Sequence, residues 1–177
     1  MIGSRPLTSS EVSLVSARLA PRDRAMFILG LRTGFRISEI LSLKVSDVRN
    51  LNGEIVTAVS VSRCNMKGKV SGRTVALHRE ARQELELLCK SCRQDDVLFP
   101  IGRMQAWRIL NNAYQAAGVY GKLGTHAMRK TFANRVYEKL GKDLLRTQKA
   151  LGHVSISSTV SYLAFADSEV DAAILGV

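Results

Sequence analysis

The sequence predicts a mainly α-helical chain with a small antiparallel β-sheet embedded early, an α+β architecture. Three observations carry this. From Arg79 onward, apolar residues recur at three- and four-residue spacing through a series of segments. Ile55, Thr57, Val59 and Val61 alternate with Val56, Ala58, Ser60 and Ser62, and Arg73-Thr-Val-Ala-Leu77 forms a second β-prone run after a Gly- and Lys-rich connection. Ahead of both lie two helical segments with their own start and stop residues.

Taken in order, Thr8-Ser-Ser-Glu11 reads as a capping box, in which hydroxyl and carboxylate satisfy the free backbone donors of a helix over about 9–20 that Pro21 ends. A second helix, about 22–33, carries Met26, Phe27, Leu29 and Leu31 and stops at Gly34, so that Arg36 lies just beyond a helix end. Ile37, Ile40 and Leu41 share one face of a short helix, Lys44-Val-Ser-Asp-Val48 turns into a loop, and Asn50-Leu-Asn-Gly53 is turn chemistry. The connection Asn65 to Gly72 puts Lys67 and Lys69 on an exposed hairpin loop. Helices are then expected over Glu80 to Cys92, Met104 to Ala117, His126 to Leu140, Asp143 to Leu151 and about 156–164. Val97-Leu-Phe-Pro100 is a brief extended piece, and Ser168 to Val177 a short amphipathic tail.

A chain of 177 residues, 46% hydrophobic and 23% charged, is expected to form one globular domain over 1–177, with a core about 7–165 and a tail 166–177. Neither an internal repeat nor a linker is visible. The formal charge of +11 points to a polyanionic partner. The longest apolar run, Ala25 to Leu31, is too short to span a bilayer, and no signal-peptide core follows Met1. Three cysteines suit a reducing compartment, and Cys89-Lys-Ser-Cys92, without a second ligand pair, reads as ordinary residues at a helix end. The expected location is the cytoplasm.

One constellation stands out by its order. Arg36 lies in Thr33-Gly-Phe-Arg-Ile-Ser-Glu-Ile40, His126 and Arg129 form an HxxR pair, Leu151-Gly-His153 follows another helix, and Tyr162 comes nine residues after His153. Singly, each has an ordinary explanation: a solvated surface Arg, a His capping a helix, a packed Tyr. Together they resemble the catalytic domain of the tyrosine recombinases, the phage integrase family, marked by an Arg in a TGxRxSE box, a hairpin Lys, HxxR, LGH and a Tyr nine residues on. The resemblance runs from about Leu7 to Phe165. It implies that Arg36 and Arg129 clamp a phosphate, Lys67 is the general acid, His126 and His153 assist, Tyr162 is the nucleophile and Glu39 orients active-site groups. Lys67 is chosen over Lys69, which stays the alternative. Of the other tyrosines, Tyr114 and Tyr137 sit mid-helix and Tyr120 precedes the HxxR helix.

The chemistry agrees with that assignment. A phosphodiester repels nucleophiles, and its transition state gathers charge on non-bridging oxygens, which planar, permanently charged guanidiniums can hold. A Tyr hydroxyl needs a base or a cationic field to lose its proton, a service His126 can supply; the leaving 5′-oxygen needs a proton that a hairpin Lys can deliver. A phosphotyrosyl link conserves the energy of the broken bond, so no ATP or metal is required. Neither a GxxxxGK[ST] loop nor a clustered acidic set for magnesium is present in the sequence, and no cofactor is expected.

Double-stranded DNA is the expected partner, with further contacts from Arg63, Lys69, Arg73, Arg103, Lys122 and Lys130. The resemblance also implies an N-terminal DNA-clamping domain in most members of the family, which is expected to be absent here, and self-association on DNA through the tail. The outcome would be integration, excision or inversion. Two other readings stay open: single-strand cleavage and resealing as in type IB topoisomerases, and an inactive basic DNA-binding module. The intact set of site residues argues against the latter.

Overall fold

Pro21 opens a helix instead of closing one. The computed structural model, which describes residues 4–61, 72–163 and 175, ends α1 (Ser9–Ser16) at Ala17, four residues earlier than its sequence pattern indicates. After a short turn Pro21 becomes the first residue of α2 (Pro21–Thr33), the position where a missing N–H costs nothing. The Thr8–Glu11 capping box forms as expected, and Arg5 grips the Glu11 carboxylate, holding it down at about 2.

α2 is buried on almost every side, from Ala25 through Leu31, and packs most extensively against α5 (Arg79–Cys89) and α7 (Thr125–Lys139). Arg24 and Arg32 pair with Glu84 and Glu80 across the α2–α5 seam. On the other side Gly30 lets α7 close in: a Cβ there would stand 2.7 Å from Met128 Sδ. Leu7 donates its N–H to Thr131 of α7, which ties the N-terminal segment to the same core.

Past Gly34 the chain forms α3 (Ile37–Ile40) and α4 (Val45–Val48). The second corrects the expected loop: Asp47 accepts the Lys44 N–H at 2.7 Å, capping a single helical turn that buries Val45 and Val48. The Asn50–Gly53 turn closes with Gly53 at φ 86°. The sheet is shorter than the alternation suggests, with β1 (Ala58–Val61) antiparallel to β2 (Arg73–Ala76) in the register Ala58↔Ala76 through Val61↔Arg73. Only Val59 and Val61 of the inward series are fully buried, and Ile55 makes just an isolated bridge to Arg49. α5 ends at Cys89, three residues early, where Arg49 caps the Cys89 and Cys92 carbonyls.

The expected extended piece appears as a Val97–Lys44 bridge, followed by α6 (Arg103–Ala116), α7, α8 (Leu144–Leu151) and α9 (Ile156–Val160). α9 stops four residues short of its predicted end, and the tail Ser168 to Val177 lies outside the described residues apart from Leu175. Two apolar clusters result. A large one is centred on α2; a small one, with Ala133, Leu151 and Leu163 at its heart, lies under α8 and α9.

Gly34, at φ 62°, has no room for a side chain, because a Cβ would run into the Phe132 ring. Gly34→Ala is expected to cost about 2 kcal/mol or more, left-handed strain plus overpacking. Gly53→Ala, with open space around it, should cost only about 1 kcal/mol. Chemical denaturation of the two variants measures both.

Candidate active site

Two helix ends build the cleft. α2 stops on Gly34 and α8 on Gly152, both left-handed, at φ 62° and 63°. Each reversal leaves carbonyls that lack helical partners and projects a functional residue just beyond: Arg36 after α2, His153 after α8. Arg129, on the second turn of α7 and 1% exposed, reaches between them. Its Nη1 donates to the Gly34 carbonyl, and its Nη2 to the Leu151 carbonyl at 2.8 Å and to His153 Nε2 at 2.8 Å.

A guanidinium can only donate, so His153 Nε2 is the acceptor and its proton sits on Nδ1, which donates to Thr159 Oγ1 at 3.0 Å. Burial first, then the charges of Arg129, Arg36 and Arg73, push His153 down to about 4, which keeps this ring neutral. Tyr162 lies against it, ring centroids 5.2 Å apart, and Arg129 Cζ stands 5.4 Å from the Tyr162 centroid. Asn134 of α7 donates to the Tyr162 carbonyl and Gln148 of α8 to the carbonyls of His153 and Val154, pinning the backbone of this segment.

Arg36 is held differently. Glu39, 1% exposed at its side chain, accepts the Arg36 N–H at 2.7 Å and its Nη1 at 3.0 Å, while the Arg36 side chain remains 43% exposed at the mouth of the cleft. His126, second residue of α7, is exposed; desolvation, then Arg129, Arg36, Arg103 and Lys130, lower its pKa. Arg36, Arg73 and Arg129 thus act on one another through space with Glu39 as the carboxylate among them. A cleft with surplus buried cations is built to receive an anion.

A model of the phage integrase family matches residues 7–169. The chain belongs to the phage integrase family. It is 34% identical over 159 residues to the probable integrase/recombinase YoeC of Bacillus subtilis (strain 168), covering 86% of this chain and 82% of that protein. With the tyrosine recombinase XerD of Oceanobacillus iheyensis it shares 32% identity over 162 residues, 84% of this chain but 52% of XerD. The chain therefore spans about half the length of that XerD relative. In fold it is similar to the XerA recombinase crystal structure (TM-score 0.75, 24% identity, covering 98% of this chain and 64% of that one). It is likewise similar to the catalytic domain of bacteriophage HP1 integrase (TM-score 0.64, 23% identity, 90% and 86%). This is a tyrosine recombinase catalytic domain, and membership places it among enzymes that cleave and rejoin DNA.

Within this phage integrase domain, Arg36, Glu39, Arg129, His153 and Tyr162 converge on one cleft, with His126 at the start of the helix that carries Arg129. Lys67, Lys69 and Arg63 lie outside the described residues. Arg103 opens α6 and Lys130 follows Arg129, both close enough to act on His126; Lys122 is exposed ahead of α7. Arg73, expected as an outlying DNA contact, is turned inward. Its Nη1 donates to the Ala150 carbonyl at 2.8 Å and its Nη2 to the Thr33 carbonyl at 3.1 Å, with Cζ 4.9 Å from the Phe35 ring centroid. Sequence reasoning missed Thr159, Asn134 and Gln148, which hold the segment carrying His153 and Tyr162 in place, because nothing in their spacing distinguishes them from surface residues.

The depressed imidazoles make the DNA-free protein acid-sensitive. Between about 4 and 6.5 the unfolded chain protonates His153 and the folded one does not, so stability falls as pH drops through that window. His126 adds in the same direction. Equilibrium unfolding at stepped pH should show this slope, and His153→Gln should flatten it.

Proposed function

We propose that this chain cleaves and rejoins duplex DNA by transesterification, with Tyr162 as the nucleophile. The observation that carries the reading is Tyr162 packed against His153 and Arg129 in a cleft where guanidiniums outnumber carboxylates. Arg36 and Arg129 hold the non-bridging oxygens. Arg129 donates to Gly34, Leu151 and His153 and also engages the Tyr162 side chain, so a phosphate held by Arg129 would lie beside the Tyr162 hydroxyl. His126, neutral at working pH, takes the Tyr162 proton. As the Tyr162 Oη–P bond forms, the P–O5′ bond breaks and Lys67, or Lys69 in its place, protonates the leaving oxygen. The reverse reaction reseals the strand and returns both protons.

Strand exchange between two sites needs more than one copy. α8, α9 and the connection between them expose Leu145, Val154, Ile156 and Val160, apolar residues suited to meeting a second protomer, with the tail from Ser168 to Val177 as the segment that would reach it. Arg63, Lys69, Arg103, Lys122 and Lys130 are outlying phosphate contacts in this reading, which associates the chain with the nucleoid. Among the described residues no helix is long and apolar enough to cross a membrane.

A nicked, end-labelled suicide duplex tests the mechanism. A covalent protein–DNA adduct is expected on a denaturing gel without ATP or added metal, and Tyr162→Phe should abolish it while DNA binding persists. An adduct surviving that substitution would assign the nucleophile elsewhere. Binding should weaken with salt at a log–log slope of about −0.9 per phosphate contacted.

A further inference from the structure

Two arginines bridge the same pair of helix ends. Arg129 ties the Gly34 carbonyl, at the end of α2, to the Leu151 carbonyl, at the end of α8. Arg73 ties the carbonyls one residue earlier on each side, Thr33 and Ala150. A single tie fixes a distance and leaves the helices free to pivot about it; two parallel ties fix the angle as well. Arg129 cannot provide both, since its Nη2 is already shared between Leu151 and His153.

The setting of Arg73 is specific. Its guanidinium stacks over Phe35, next to Arg36 in sequence. A Cβ at Gly152, next to His153, would lie 2.8 Å from Arg73 Cδ, so that glycine serves the packing of Arg73 as well as its own left-handed turn. Reaching two carbonyls at once requires a planar fork; an ammonium is a point donor on a flexible stem. The position is also costly. Burial, and then the charge of Arg129, push Arg73 down to about 10, and its buried Nε has no partner among the described residues. A cation kept under those terms, with neutral carbonyls as its bonding partners, is explained by the geometry it sets.

We propose that Arg73 is a positioning residue of the transesterification site: by bridging Thr33 and Ala150 it sets the orientation of the segment carrying His153 and Tyr162 relative to the one carrying Arg36. The proposal rests on the transesterification reading above for its kinetic consequence, and on the DNA-free structure for its geometric one.

The discriminating variant is Arg73→Lys, which keeps the charge and loses the fork, with Arg73→Met beside it. Single-turnover cleavage of the suicide duplex at saturating protein should slow by about 10- to 100-fold in both variants, the penalty of a displacement on the order of 1 Å. DNA affinity should change less than about 3-fold, since an outlying phosphate contact is not what is lost. In the DNA-free protein, the His153 imidazole, followed by long-range proton–nitrogen correlation, should titrate above wild type in Arg73→Lys, because a displaced ring loses burial and then the nearness of Arg129, which together hold it down, while the Arg73 charge is conserved. A wild-type rate in Arg73→Lys, or equal losses of rate and affinity, overturns the proposal. If wild-type protein forms no adduct, the transesterification reading fails, and the His153 titration still decides the geometric claim: an unchanged titration in Arg73→Lys refutes it. Melting curves of both variants identify any general unfolding.

Discussion

The site depends on carbonyl groups that a helix leaves unpaired at its C-terminus. Both α2 and α8 end on a left-handed glycine, and their last carbonyls, partially negative, face the same cleft. Buried guanidiniums answer them, so cations that would be costly alone are held by dipoles already paid for in folding the helices. Everything functional is referenced to this junction: Arg36 leaves one helix end, His153 and Tyr162 the other, and Arg129 lies between. The glycines are required twice over, for backbone conformation and because Phe132 and Arg73 occupy the space a side chain would fill.

Such a junction carries more positive charge than its carboxylate balances. Glu39 is buried and its two oxygens are spent on Arg36, leaving Arg73 and Arg129 bonded chiefly to neutral acceptors. The surplus is legible in the neighbours, for His126 and His153 are both depressed with arginines among the causes. An arriving phosphodiester relieves this repulsion, so the electrostatic cost borne by the free protein becomes a preference for an anion at that spot. That is preorganisation in its physical sense: the charges are placed before the substrate arrives and need no further reorganisation.

How much of this was legible in the sequence follows from what each feature is made of. Helices with strong periodicity and conspicuous caps were legible: the Thr8–Glu11 box, Gly34 as the end of α2, and the helix ending at Leu151 all formed. Ends governed by tertiary contact were not. α1 yields early to the Pro21 start, and α5 stops where Arg49 captures its final carbonyls. The residues converging on the cleft were legible because they form a spaced motif, whereas Arg73 was misplaced because a charged residue at a strand start reads as surface. Its partners are backbone carbonyls, which every residue possesses and no letter of the sequence marks. Thr159 escaped for the same kind of reason, since its bond to His153 depends on the turn that follows Gly152.

The attachment of Tyr162 differs in kind from that of Arg36 and Arg129. α2 and the start of α7 belong to the large apolar cluster, whereas the segment bearing Tyr162 rests on a small one and is otherwise held by polar ties from Arg129, Asn134, Gln148 and Thr159. Apolar burial is indifferent to charge, but these ties are not. A phosphate entering the cleft draws on the donors of Arg129, the same group that orients His153 beside Tyr162. In the proposed mechanism, phosphate binding and the placement of Tyr162 would therefore share one guanidinium. A site organised this way keeps the segment carrying Arg129 rigid and makes the position of Tyr162 sensitive to what that guanidinium holds, a coupling that a purely apolar seat for Tyr162 would not provide.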